Sequence, residues 1–224
     1  MLEFVVTADG SKTLYHPEIG EHYHSRHGAV QESRYVFLGK GLEYYLKRNP
    51  SSAVSILEIG FGTGLNFLLS ADFCYKEGIQ LYYTGVEAHP VPADMLSQTG
   101  YDAYVAPALW ESFLLHYTNT LRATAAILDG CSLEITPCRA LQFATEKRFD
   151  LLYFDAFAAT HQPEMWTEET LQHVCTFLKP GGIFVTYAIT GHLKRTMKAL
   201  GFTIEKVPGA PGKREMLRAI NYPQ

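Results

Sequence analysis

The stretch SILEIGFGTGLN, residues 55–66, sets Glu58 two residues ahead of Gly60, Gly62 and Gly64, all in front of a helical pattern. Glycines at such a turn let the backbone pass close to a ligand. A dinucleotide fingerprint spaces them GxGxxG, and a Walker loop ends in GK[ST]. Here the order is GxGxG and the lysine is missing, so both readings weaken. Glu58 is badly matched to a phosphate and well matched to an ammonium group. A second acid, Glu87 in TGVEAHP, ends the next apolar run, where a carboxylate can accept both hydroxyls of a ribose. A third, Asp155 in FDAFAATHQPEMW, stands where open α/β sheets place chemistry, at the carboxyl edge of a central strand. The plainer readings are exposed loop carboxylates for the two glutamates and a helix cap for the aspartate. Two acids at successive strand ends argue against the first of these.

Five β-rich runs must position those groups: SILEIG, LYYTGVEA, SLEIT, FDLLYFDAF and GIFVTYA. They are apolar on both faces and alternate with helical patterns over Leu65–Glu77, Arg139–Lys147, Thr167–Leu178 and Gly191–Leu200. That order predicts an α/β fold, Rossmann-like, with a mostly parallel doubly wound sheet covered on both faces. FTIEKV and EMLRAIN, separated by the turn-rich PGAPGKR, predict a C-terminal antiparallel hairpin. Two parts lie outside the alternation. Residues 1–50 read as an N-terminal extension over the site, with a helix-like run at Tyr35–Arg48, and about 101–130 as a helical insertion or lid in the domain 51–224.

Composition narrows the class. The chain has 224 residues, is 47% hydrophobic and carries a net charge of −4. That is enough for one domain with a substantial core and gives no global attraction to polyanions. Four scattered cysteines suggest neither a disulfide framework nor a zinc ribbon. With no apolar leader and no run near the roughly 18 residues of a membrane span, the expectation is a cytoplasmic protein without a membrane role. His16, His22, His24 and His27 invite a metal reading, but no helical spacing, cysteine or carboxylate triad completes a site, so no metal is expected.

At E-x-G-x-G-x-G followed by an acid closing the next strand, the sequence resembles the class I S-adenosylmethionine-dependent methyltransferases. The resemblance implies S-adenosyl-L-methionine as cofactor, held by Glu58, Gly60, Phe61, Gly62, Gly64, Asn66, Glu87 and Asp155. Further segments, DGSKTLYHPEIGEHYHSRHGAVQES, FDAFAATHQPEMW, KPGGIFVTYAITGHLKRTMKALGF and PGAPGKREML, span almost the whole chain. With them it is similar to the methyltransferase domain of the MnmC family and its stand-alone relatives. That implies N-methylation of 5-aminomethyl-2-thiouridine at the tRNA wobble position. It implies the methyltransferase half alone, without the flavin domain, so that another enzyme supplies the amine. One departure is plain: where the family has Gly-Asp to hold the adenine, this chain reads Cys138-Arg139.

For the chemistry, Asp155 is expected to orient the amine, with Tyr23 or His24 helping to remove its proton. Phe157 and Trp166 could be a platform for a base or core aromatics, with core packing favoured for Trp166. The tRNA anticodon loop is the expected partner. Its phosphates would be met from among Arg26, Arg34, Lys194, Arg195, Lys198, Lys213 and Arg214, above all the Lys213-Arg214 pair. The alternatives are a small-molecule amine N-methyltransferase or aminopropyltransferase-like enzyme, and a non-catalytic cofactor-binding module.

Overall fold

The computed structural model describes residues 2–222. The chain opens with β1 (Glu3–Val6), β2 (Lys12–His16) and β3 (Glu21–His22), a small antiparallel sheet. A continuous helical rod follows: α1 (Ala29–Ser33), a π-helical stretch (Arg34–Glu43) and α2 (Tyr44–Arg48). The main domain then runs β4 (Ala53–Ile59), α3 (Leu65–Glu77), β5 (Gln80–Val86), α4 (Ala93–Leu96), α5 (Pro107–Thr120), β6 (Ala125–Leu128), β7 (Cys131–Thr136) and β8 (Phe149–Phe154). It closes with α6 (Glu168–Cys175), β9 (Leu178–Thr186), α7 (Gly191–Ala199), β10 (Thr203–Pro208) and β11 (Glu215–Ile220).

The main sheet is ordered β10-β11-β9-β8-β4-β5-β7-β6. The four pairings among β9, β8, β4, β5 and β7 are parallel, and β11 and β10 continue one edge antiparallel, as the hairpin reading expected. Every residue of β8 is buried, which is why that run carries no polar alternation. From β4 the chain winds outward through β5 to β7, then returns to β8 on β4's other flank. This reversal opens a crevice at the carboxyl ends of β4 and β8, the place where such sheets bind ligands.

Four details differ from the sequence reading. Arg139–Lys147 is helical only as a 3-10 turn at Ala140–Gln142. Phe143 turns inward against Phe177, and its carbonyl pairs with His173 Nε2 at 2.8 Å, not with a helical N–H. The strand read from GIFVTYA begins earlier, at Leu178, and takes KPGG in as a bulge: Phe149 pairs with Leu178, yet Leu151 pairs with Ile183. Residues 101–130 are a packed crossover. α5 buries Trp110, Phe113 and Tyr117, and β6 joins the edge antiparallel to β7. No residue of that stretch lines either cavity described below. The helix expected at Tyr35 begins at Ala29. Among the described residues, no helix is long and apolar enough to cross a membrane.

Candidate functional site

Two cavities meet at the crevice. The larger, about 530 Å3, extends from Gly60–Asn66 past Glu87 to Cys138–Gln142. The smaller, about 220 Å3, lies beneath the N-terminal segment. Tyr23, His24, Asp155, Ala156 and Phe157 line both.

The glycine turn explains its own composition. Gly60 has φ +89°, and a Cβ there would fall 2.4 Å from the Asp155 carbonyl oxygen. Only a bare backbone lets the β4 and β8 ends approach so closely. Gly62 faces Tyr23, whose ring would lie 3.0 Å from an added Cβ. Gly64 starts α3 in the left-handed region and does not line the cavity. Phe61 lines the cavity, but its ring is buried against Gly85, Phe67 and Tyr83, and its N–H and carbonyl are taken by Val86 and Gly64.

Glu87 is pinned by two N–H groups, from Gly62 to Oε2 and from His89 to Oε1, each at 2.9 Å. A carboxylate accepts about four hydrogen bonds, so capacity remains for a pair of hydroxyls. Glu58 is placed differently from the sequence expectation. It is fully buried and does not line the cavity. Alternation along β4 turns it inward with Ile56, where Tyr83 OH donates to Oε2 at 2.8 Å and Asn66 Nδ2 to Oε1 at 2.7 Å. Burial, then the neighbouring Asp155, pushes its carboxyl well above the ordinary range.

Asn66 therefore stands between two acids, since its Nδ2 also donates to Asp155 Oδ2 at 2.8 Å. Its Oδ1 is buried without a partner. With its NH2 turned to both carboxyl groups, Asn66 leaves this oxygen as an orphan acceptor on a residue that lines the cavity, which suits the N–H of a cation. Asp155 is half-buried, its carboxyl open to both cavities and otherwise enclosed by protein. Burial first, and Glu32 next, push it up to about 8, against the lowering effects of Asn66 and Lys213.

The other expected site residues are placed as follows. Tyr23 packs edge-on to Phe157 with centroids 5.1 Å apart. Burial, then Glu87, raises its phenol, so it stays protonated and offers no phenolate to take a proton. His24 is pushed down to about 4 by burial, and its Nδ1 lies 2.9 Å from Thr13 Oγ1, so it is a weak base. Phe157 forms a wall between the cavities, whereas Trp166 is core and donates its indole N–H to the Phe157 carbonyl at 2.7 Å. Arg26 and Arg214 are exposed, Arg26 on the rim of the small cavity. Lys213 points inward. Its Nζ lies 2.7 Å from Glu32 Oε1 and 3.8 Å from the Tyr187 ring centroid. Sequence reasoning missed Glu32, Glu21 and Tyr187, whose signal was only their membership of the distinctive N-terminal and VTYAIT segments. Among the described residues no group of three or more His, Cys, Asp or Glu is placed to hold a metal.

The large cavity fits a nucleoside-bearing amino acid. It combines a glycine cradle, a hydroxyl acceptor in Glu87, an orphan acceptor in Asn66 and the amino end of α3, whose partial positive charge suits a carboxylate. At the far end Cys138, Arg139 and Gln142 stand where the adenine-binding acid of the wider family is absent, with Leu141 exposed as an apolar face.

Sheet order and site together define a Rossmann-like domain for an adenosine-bearing cofactor. Residues 101–222, more than half of the chain, match a family described as S-adenosyl-L-methionine-dependent methyltransferase, and the chain belongs to it. It is similar to the tRNA 5-methylaminomethyl-2-thiouridine biosynthesis bifunctional proteins MnmC of Acidovorax sp. and Chromobacterium violaceum. The identities are 31% over 95% of this chain and 29% over 88%. It covers only 34% and 31% of those proteins, about a third of their length. Among solved structures, MNMC2 of Aquifex aeolicus shares the fold, with a TM-score of 0.78 and 23% identity over 98% of this chain and 70% of the other.

Proposed function

We propose that this chain transfers a methyl group from S-adenosylmethionine to the exocyclic amine of 5-aminomethyl-(2-thio)uridine at the tRNA wobble position, giving 5-methylaminomethyl-(2-thio)uridine. The observation that carries the reading is the small acidic cavity opening onto Asp155 beside the cofactor-sized one. The relatives' names supply the nucleoside. A tRNA substrate places the reaction in the cytoplasm.

Gly60, Gly62 and Asn66 would hold the methionyl end of the cofactor, Glu87 its ribose, and the Cys138–Gln142 rim its base. When bound, S-adenosylmethionine would supply a methyl group on a positively charged sulfur, an electrophile for the amine nitrogen. Asp155 receives the acceptor as an ammonium, takes a proton from it and orients the nitrogen lone pair. Such alignment can supply much of the rate. Tyr23, His24 and Phe157 wall the junction, position the nucleobase and keep water from the nucleophile. Arg26, exposed at this mouth, and Arg214, exposed next to Lys213 in the chain, meet phosphate.

Glu87→Ala removes both the ribose acceptor and the anchor of the Gly62 N–H. Its expected result is a 10–100-fold weaker S-adenosylmethionine affinity by calorimetry, about 1.4–2.7 kcal/mol. The deciding experiment for the function is labelled methyl transfer to tRNA from cells lacking this gene, followed by nucleoside analysis. Label in 5-methylaminomethyl-(2-thio)uridine is the expected outcome. Label in polyamines and none in tRNA would replace it with a small-molecule amine methyltransferase.

A further inference from the structure

The small cavity contains an arrangement that the transfer reaction alone does not require. Three carboxylates line it, each from a different element: Glu21 on β3, Glu32 on α1 and Asp155 after β8. Lys213 is the one lysine among its lining residues. Glu32 is 7% exposed and fully engaged, with Oε1 on Lys213 Nζ at 2.7 Å and Oε2 accepting the Ser25 N–H at 2.8 Å. Lys213 is held from its other side by the Tyr187 face. Its loop is built to deliver it inward. A Cβ at Gly209 would lie 2.5 Å from the Lys213 carbonyl oxygen, and one at Gly212 would lie 2.3 Å from the His27 ring.

Pairing removes Glu32 and Lys213 from the cavity's outstanding charge. What remains is Asp155 and Glu21. Glu21 Oε2 accepts the Ala158 N–H at 2.9 Å, which fixes that carboxylate against the loop carrying Asp155. Arg26 is exposed at the rim, where water and salt screen it. The interior therefore presents Glu21 and, once ionised, Asp155, with its one lysine already paired, and favours a cation. An amine that brings its own carboxylate would meet like charge from both and find its one natural counterion already occupied.

We propose that Glu32 is the specificity-determining residue of this acceptor cavity. By engaging Lys213 it makes the cavity accept an alkylammonium and refuse an amine bearing a carboxylate. This rests on the methyltransferase reading above and adds the chemical class that the site rejects. With Glu32 neutral, Lys213 becomes a free cation in the cavity wall. It then repels the ammonium acceptor and offers a partner to a carboxymethylamine. The step itself is unchanged for either acceptor: the N–C bond forms, the bond from methyl to sulfur breaks with its electron pair kept by sulfur, and the amine proton goes to Asp155.

The test compares kcat/KM for two RNAs, a tRNA carrying 5-aminomethyluridine and the same tRNA carrying 5-carboxymethylaminomethyluridine. The ratio of the two does not depend on the fraction of enzyme that is folded, so a destabilised variant still reports. The wild-type protein is expected to prefer the aminomethyl RNA by at least 100-fold, and Glu32→Gln to narrow that preference by 10-fold or more. The double variant Glu32→Gln/Lys213→Met removes both charges and is expected to restore it. A purely structural role for Glu32 would not show that recovery. A Glu32→Gln ratio within about twofold of wild type, or a double variant no more selective than the single, overturns the proposal while leaving the methyltransferase reading intact. A wild-type protein that methylates neither RNA overturns that reading, and this one with it.

Discussion

Asp155→Asn is expected to lower kcat/KM for the aminomethyl acceptor by about 10²–10⁴-fold, the range for losing a positioned proton acceptor, with S-adenosylmethionine still bound. The pH profile identifies the cause. The carboxyl is pushed up to about 8 by burial, then by Glu32 and Glu21, with Asn66 and Lys213 acting against them. Only the ionised form can take a proton, so wild-type kcat/KM should rise with pH toward about 8. It should fall again near 10, where a free alkylamine loses its own proton. A bound cationic cofactor moves the rising limb lower. The Asn variant should lack that limb altogether; a variant that keeps both rate and limb excludes Asp155 from proton transfer. Stability should change in the opposite direction. A carboxyl whose folded pKa lies above its unfolded 3.8 holds extra protons in the native state, so stability is lost as pH rises from about 4 to about 8. The Asn variant escapes this loss. It should melt about 2–8 °C above wild type at pH 8, roughly 1–2 kcal/mol, and show no gain below pH 4.

The sheet was readable from sequence because its inner strands are apolar on both faces, a pattern that depends little on tertiary detail. FDLLYF and SILEI could hardly be anything but interior strands. What resisted reading were the segments whose backbone groups are satisfied at long range. Phe143 gives its carbonyl to His173, so RALQFATEK abandons the helix that its local pattern favours. KPGG resembles a turn but is absorbed as a bulge, because β9 must reach the end of β8 at Phe149. The site divided in the same way. Gly60, Gly62, Glu87 and Asp155 stand at strand ends, where position alone fixes the direction of approach. Lys213 and Arg214 are neighbours in sequence, yet one turns inward onto Tyr187 and Glu32 while the other faces solvent. Nothing in GKR distinguishes them, because the partners that draw Lys213 inward are more than twenty residues away in the chain.

Glu58 decides between two ways in which the first acid of the glycine motif can act. As a cofactor ligand it would require its negative charge, and Glu58→Gln would cost tenfold or more in S-adenosylmethionine affinity. As a buried support it requires only hydrogen-bonding shape. The geometry supports the second: Glu58 is fully buried behind Asn66, receives Tyr83 OH and Asn66 Nδ2, and carries a carboxyl raised well above the ordinary range. A glutamine can accept from Asn66 through its oxygen and donate to the Tyr83 oxygen through its nitrogen. Glu58→Gln is therefore expected to keep its melting temperature within a few degrees of wild type and its cofactor affinity within about threefold. Glu58→Ala removes both acceptors and leaves a void beside a buried phenol. That should cost about 2–4 kcal/mol, or roughly 4–16 °C in melting temperature. Asn66, freed on one side, then loses the orientation that points its amide at Asp155, so the rate of methyl transfer should fall further than the cofactor affinity. Melting curves and calorimetry on both variants separate the two roles: a glutamine that fails as badly as alanine means that the charge, and not the support of Asn66, is what the site needs from this residue.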